Sequence, residues 1–388
     1  VPAPPERPEV SVSRNSARSS SMCCSASSLA TRAIVHVHGT WRLDEALDVD
    51  TRTIARVAKD EALQHIELDR ALFLDTETSG LSGGAGTHVF MVGLGWFEDG
   101  AFTSWQSFLR HPGEEPAMLA EVAERVRASS GVVSFFGKSF DRHRLEDKMR
   151  IAGVEPPFQG LPHLDLYHPL RRITLGSCPN GRLQTMERAL LGFERTDDLP
   201  GSVAPAAWFD YLAGRPHRLE GVFEHNHHDV LSLAALAAYL GRVETETRAS
   251  GDPLAGCPAR RAVALAETAQ DVSDEMRWLD CALARDVAGD DRRRVQVRRA
   301  HLLRRARRVD EARAAYRAAL EECADDRFAV ELFEGASMLL ERPVGDVENA
   351  RTFAERAVTL ARSCGITARR ISTLQARVDR LAAHAPPR

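Results

Sequence analysis

The sequence predicts a mixed α/β domain over residues 71–245 followed by an all-α region over 260–383. Three patterns carry that expectation. Short apolar, β-branched runs crowd residues 71–110, helical spacing of apolar residues alternates with strand-like runs from 115 to 245, and helical periodicity is nearly unbroken after 260. With 388 residues, 44% of them hydrophobic and 27% charged, the chain can build two or three domains with their own cores.

Composition narrows the setting. The net charge of -4 supplies no global attraction to nucleic acid or to an anionic membrane, so any such binding must come from a local site. Seven scattered cysteines without a C-x-x-C argue against a disulfide framework and a zinc knuckle, and fit a reducing cytoplasm. No apolar run approaches the roughly 18 residues of a membrane span, and the N-terminus lacks the apolar core of a signal peptide. A cytoplasmic protein with no membrane partner is expected.

Residues 1–30 are rich in Pro, Ser and Arg and read as a disordered tail. An N-terminal extension, 31–70, begins with the strand-like "AIVHVHGTW", where His36 and His38 share a face; a metal pair and a plain edge strand both fit. "ALFL" then leads into Asp75, and strand alternation sets Asp75 and Glu77 on one side. "THVFMVGLGWF" and "AFTSWQSFLR", joined by "EDG", complete a three-strand antiparallel meander. Next come the helix "EEPAMLAEVAERVRA", the buried-strand run "GVVSFFG" and the helix "KSFDRHRLEDKMRIAG", closed by Gly153. "LPHLDLYHPL" reads as an edge strand, "RLQTMERALLG" as a helix and "LEGVFEHNHHDVLSLAALAAYLGRV" as a long helix.

The glycines Gly80, Gly83, Gly84 and Gly86 stand between two strands. They match neither G-x-x-x-x-G-K-[ST] nor G-x-G-x-x-G before a helix, so a phosphate cradle at a helix N-terminus is not available and a permissive turn is. Asp75 and Glu77 alone would read equally as solvent-facing strand residues. Further acids shift the balance: Asp141 opens the helix after "VVSFFG", and Asp229 sits mid-helix among Val230, Leu231, Leu233 and Leu236. Hard divalent cations such as Mg²⁺ or Mn²⁺ take carboxylate oxygens together with substrate phosphates. Four acids from strand, helix start and late helix would suit two ions about 3.5–4 Å apart, which activate water and stabilise a leaving oxygen.

The order "DTET", then "FD" after a strand, then "HNxxD" in a late helix resembles the DEDD exonuclease superfamily of the ribonuclease-H-like fold. "FLDTETSGLSGGAGTHVFMVG", "GKSFD", "HLDLYHPLRR", "LQTMERALLGFERTDDLPG" and "HNHHDVLSL" are similar to the YprB-type ribonuclease-H-like family over about residues 70–245. The resemblance implies a ribonuclease-H-like mixed sheet flanked by helices, and a nuclease acting 3′ to 5′ on DNA or RNA. It also implies Asp75, Glu77, Asp141 and Asp229 as ligands of two Mg²⁺ or Mn²⁺ ions. DEDD exonucleases carry a His five residues, or a Tyr four residues, before the last Asp. Here His225 occupies the tyrosine slot and shares a helix face with Asp229, which suits a general base. His227 and His228 are lesser candidates, and a zinc site from the three histidines would lack a clear fourth ligand. Lys138 could meet a substrate phosphate or stay solvated, and Asp165 could touch substrate or hold a turn. Phe136 stands where the family commonly shows Asn. Glu187 and Arg188 read as an ordinary helix face, and Asp197 and Asp198 as turn residues.

Residues 246–259 form a Gly/Pro linker. Beyond it, Ala312 aligns with Ala350 and Ala319 with Ala357, an offset near the roughly 34-residue tetratricopeptide period, with "DEMRWLDCALARD" as a degenerate further copy. A tetratricopeptide-like module that binds a protein partner is expected. The runs "DDRRRVQVRR" and "RRARR" read as a phosphate-binding patch or, with acids interleaved, as a solvated face. The sequence therefore points to a metal-dependent nuclease, against which stand a non-cleaving nucleic-acid-binding protein and a repeat-based scaffold.

Overall fold

The computed structural model describes residues 26–33 (backbone only), 36–80, 86–99, 101–174, 178–196, 198–243, 258–285 and 287–383. They divide into two compact units. One runs to Arg171 and resumes from Cys178 to Val243; the other comprises the described residues from Pro258 onward with Arg172–Thr174.

The first unit begins with strand β1 (Ala26–Ala33) and a two-residue hairpin, β2 (Val37–His38) and β3 (Trp41–Arg42), followed by helix α1 (Thr51–Ala58). The meander is β4 (Leu72–Thr78), β5 (Val89–Glu98) and β6 (Ala101–Phe108). Helix α2 (Glu115–Ala128), strand β7 (Val132–Ser134), helix α3 (Asp141–Ile151), strand β8 (His163–Asp165) and helix α4 (Tyr167–Thr174) follow. Helix α5 (Leu183–Met186) runs into a wider turn at Glu187–Leu191, and α6 (Ala204–Leu212) and α7 (Leu219–Arg242) close the unit. Six strands make one sheet in the order β1-β6-β5-β4-β7-β8. The first three pairings are antiparallel and the two to β7 and β8 are parallel.

Strand alternation divides the sheet's residues between two environments. Leu72, Leu74, Val92, Leu94 and Val132 join Met118, Leu119, Val122, Leu145 and Met149 of α2 and α3 in one buried cluster. On the other face, register sets Asp75 of β4 opposite Gly93 of β5 and Gly93 opposite Gln106 of β6. Here α7 lies close because glycines give it room: a Cβ on Gly93 would fall 2.3 Å from Asn226 Oδ1, and one on Gly95 2.7 Å from Val230 Cγ1. From Val230 to Gly241 every residue of α7 is buried, which explains its apolar character all round.

Three expectations change. The tail expected to run to residue 30 gives way at Ala26, because β1 pairs its backbone along β6 and so covers what would be a bare sheet edge; residues 1–25 lie outside the described residues. Residues 31–70 are less an extension than a cover for α7, since Leu43 and Ala46 are fully buried and Val49 abuts Gly241. Helices α4 and α6 were not anticipated as elements. The linker at 246–259 lies outside the described residues up to Pro258, and Ala259 already opens a helix.

The second unit is all-α. Its helices span Ala259–Glu267, Val272–Ala284, Gly289–Arg305, Val309–Glu322, Arg327–Leu339, Val347–Ser363 and Ala368–Ala383, each packed on the next. Helix starts at Gly289 and Val309 recur at Arg327 and Val347, the offset read from the alanines, and Ala312, Ala319, Ala350 and Ala357 are all buried. In the first arginine run the guanidinium groups are tied to acids: Arg292 to Glu322, Arg293 to Asp290, Arg298 to Glu275 and Arg299 to Asp280; in the second, Arg308 pairs with Glu311. That favours an ion-paired surface over a phosphate patch. Among the described residues no helix is long and apolar enough to cross a membrane.

Candidate active site

Four carboxylates meet where β4 ends. Asp75 and Glu77 share the α7 side of the strand, Asp141 is the first residue of α3, and Asp229 comes from α7. Glu77, Asp141 and Asp229 are buried, while Asp75 keeps some exposure. Burial, followed by the charges of Asp229, Asp141 and Glu77, pushes Asp75 well above the usual carboxylate range. Burial, then Asp229 and Asp141, does the same to Glu77. Burial raises Asp141 to about 6 against the opposing hydrogen bond from Thr76. Acids so arranged resist ionising unless a cation joins them.

Neutral and cationic partners hold these groups. Thr76 Oγ1 donates to Asp141 Oδ1. Gln106 Nε2 donates to Asn226 Oδ1 at 2.9 Å, and Asn226 Nδ2 donates to Asp75 Oδ2 at 2.8 Å, a relay that fixes the amide's orientation. Gly93 makes the relay fit. Gly93→Ala should displace Asn226, destabilise the fold by about 1–3 kcal/mol as overpacking does, and loosen Asp75; urea unfolding would show the shift.

Arg195, nearly sealed from solvent, spans the site. Its Nη2 donates to Asp229 Oδ1 and to Glu187 Oε1 at 2.5 Å, and its Nη1 lies 3.4 Å from Asp198 Oδ1. Burial pulls the guanidinium's pKa down, but Asp229 and Glu187 outweigh it and hold it raised. Glu187 is therefore not on an ordinary helix face: it is buried, bound to Arg195, and accepts from Ser232 Oγ at 2.5 Å. Arg188 is exposed, as expected of such a face.

His225 points its Nε2 at the acids, 3.5 Å from Asp229 Oδ2 and 4.0 Å from Glu77 Oε1. Its Nδ1 sits 2.9 and 3.1 Å from the two oxygens of Asp198, where Arg195 Nη1 also converges. Asp198, read as a turn residue, is thus a partner of the proposed base, whereas Asp197 lies outside the described residues. The other histidines diverge. His227 Nδ1 meets Ser104 Oγ at 2.9 Å, and His228 packs on Phe193, so the three do not form a zinc site. Asp165 accepts from the backbone N–H of Phe136, Lys138 and Tyr167 at 2.8, 3.1 and 3.1 Å, which is the turn-holding role rather than a substrate contact. Lys138 Nζ donates to Asp60 Oδ2 at 3.0 Å in a half-exposed ion pair.

Among the described residues, no group of three or more His, Cys, Asp or Glu side chains stands arranged to hold a metal ion. The donor chemistry nevertheless fits hard cations: all-oxygen ligands, three of them held above their usual pKa, and a guanidinium already neutralising the fourth. Sequence reading missed Thr76, Gln106, Asn226, Arg195 and Asp198. Thr76 and Asn226 carried a local signal, standing in "DTET" and in "HNHHD" beside His225.

A family model described as RNase_H superfamily matches residues 72–241. The uncharacterized protein YprB of Bacillus subtilis (strain 168) is 31% identical over 210 residues, which cover 53% of this chain and 51% of that one. The chain thus matches about half the length of that relative. The family B DNA polymerase from the hyperthermophilic archaeon Pyrobaculum calidifontis aligns with a TM-score of 0.35 and 15% identity over 55% of this chain and 29% of its own, too slight a likeness to argue from. Residues 72–241, from β4 through nearly all of α7, thus match the RNase_H superfamily model and carry a ribonuclease-H-like fold, followed by an all-α region.

Proposed function

We propose that the protein is a divalent-metal-dependent nuclease that hydrolyses phosphodiester bonds of DNA or RNA, removing nucleotides from a 3′ end. The observation that carries this reading is the meeting of Asp75, Glu77, Asp141 and Asp229 with the His225 imidazole directed at them. Asp75, Glu77, Asp141 and Asp229 would hold Mg²⁺ or Mn²⁺, and two such ions supply an activated water and charge stabilisation of the leaving oxygen. Asp198 accepts from His225 Nδ1–H, which fixes the tautomer that leaves Nε2 able to take the proton of the attacking water. Arg195 balances Asp229, Asp198 and Glu187 between turnovers. Asn226 and Thr76 keep two carboxylates from drifting.

The test uses 5′-labelled single-stranded and duplex DNA and RNA with Mg²⁺, Mn²⁺ or EDTA. A ladder shortening from the 3′ end, absent in EDTA, supports the reading; intact substrate with both metals rejects it. His225→Ala should slow cleavage about 10²- to 10⁴-fold, as loss of a general base does, while Mn²⁺ affinity measured by calorimetry stays near wild type. The all-α region supports a tetratricopeptide-like, partner-binding role. A groove of about 460 Å³ there is lined by Arg313, Tyr316, Arg317, Phe333 and Phe353 among others.

A further inference from the structure

The loop Phe135–Phe140 joins β7 to α3 and delivers Asp141. Its backbone presses on that carboxylate: a Cβ on Gly137 would fall 2.9 Å from Asp141 Oδ2 and 2.4 Å from Ser134 Oγ. One residue earlier, Phe136 adopts a left-handed backbone (φ 63°), which bulky side chains rarely tolerate. Asp165 enforces it by gripping the N–H groups of Phe136 and Lys138. The result is a phenylalanine 45% exposed to solvent, one of two so exposed among the described residues.

Both features are unfavourable for the isolated chain, and the ring wins little in return inside it. Tyr167 meets it edge-on, with centroids 4.9 Å apart and planes at 67°, and His168 is 6.3 Å away. Such contacts prop a ring without stacking over it. What remains is an aromatic platform on the loop that carries a catalytic carboxylate, within one residue of the glycine that touches it. A nucleobase is the ligand that matches: every base has a π-face, and stacking on an aromatic side chain is largely independent of sequence. A base inside a duplex is already stacked and paired, so an unpaired one gains most.

Resting on the nuclease reading above, we propose that Phe136 is a stacking platform for an unpaired nucleobase next to the carboxylate site, and that it makes the protein selective for single-stranded ends.

The experiment compares full-length wild type, Phe136→Gly and Phe136→Trp. Glycine suits the left-handed backbone, so Phe136→Gly removes the ring without new strain, and thermal melting checks that it folds. Binding of fluorescein-labelled single-stranded DNA and RNA, and of matched blunt duplexes, is followed by anisotropy with Ca²⁺ in place of Mg²⁺. Phe136→Gly should weaken single-strand binding about 10-fold or more, leave duplex binding within about twofold, and Phe136→Trp should restore it. Unchanged single-strand binding, an equal loss for duplex, or no binding by wild type overturns the proposal. Phe136-dependent binding without cleavage in Mg²⁺ or Mn²⁺ would support the platform and reject the nuclease; cleavage unaffected by Phe136→Gly would do the reverse.

Discussion

Asp75→Asn should abolish cleavage and at the same time make the metal-free protein more stable. The asparagine keeps the shape, and its amide oxygen can still accept from Asn226 Nδ2, which now meets Asp75 Oδ2 at 2.8 Å. What is lost is one charge of the carboxylate cluster proposed to hold the metal. Removing a single transition-state stabiliser of this kind costs about 10²- to 10³-fold in turnover, and losing a metal site costs more, so cleavage should fall below detection. Stability moves the other way because the folded protein holds Asp75 well above its usual pKa through burial and the neighbouring Asp229, Asp141 and Glu77. A carboxyl with a raised folded-state pKa stabilises the fold only below the unfolded pKa, and that contribution disappears as pH rises through the folded value. At pH 8 without metal the buried charge is a burden, and its removal should return the ~0.5–2 kcal/mol common for stabilising changes that sacrifice a functional site. Urea unfolding in EDTA reads the gain, and the labelled-substrate assay reads the loss. Equal activity in the variant would contradict the role of Asp75.

Divalent metal should stabilise the protein strongly at pH 8 and weakly at pH 5. Binding requires ionised carboxylates. Burial and mutual repulsion raise Asp75 and Glu77 well above their usual range and Asp141 to about 6, so acid fills the site with protons and competes with the ion. At 100 times its dissociation constant an ion adds about 2.7 kcal/mol, which corresponds to roughly 5–10 °C in Tm for a domain of this size. Tm alone is not the quantity to read, because burial lowers His38 and His163 to about 3. Those two lose stability as pH falls below their unfolded pKa, opposite in sense to the acids. The difference between Mn²⁺ and EDTA at each pH isolates the site. A metal increment as large at pH 5 as at pH 8 would mean that these carboxylates are not its ligands.

The parts of the site legible in the sequence are those written into local periodicity. Alternation along β4 put Asp75 and Glu77 on one side, a strand-to-helix junction marked Asp141, and an acid amid leucines marked Asp229. The Arg195 network left no such mark. Arg195 joins Glu187 and Asp229, 8 and 34 residues away, and its string "ERTDDLPG" has the composition of a turn. Only the fold closes those separations. Strand β1 was illegible for a related reason: "ASSLATRA" has few β-branched residues, and the strand shows itself only in its backbone pairing along β6. Helix α6 was not read from the sequence at all; in the fold its Trp208 is buried and donates from Nε1 to the Leu109 carbonyl at 2.8 Å.

The most direct test of a cation site at the end of β4 is a crystal of the full chain grown at pH 8 in Mn²⁺, with diffraction recorded to give an anomalous difference map. Strong anomalous peaks in contact with Asp75 and bounded by Glu77, Asp141 and Asp229 are the predicted result. An empty map at these four carboxylates under saturating Mn²⁺, or peaks at the histidines instead, would contradict it.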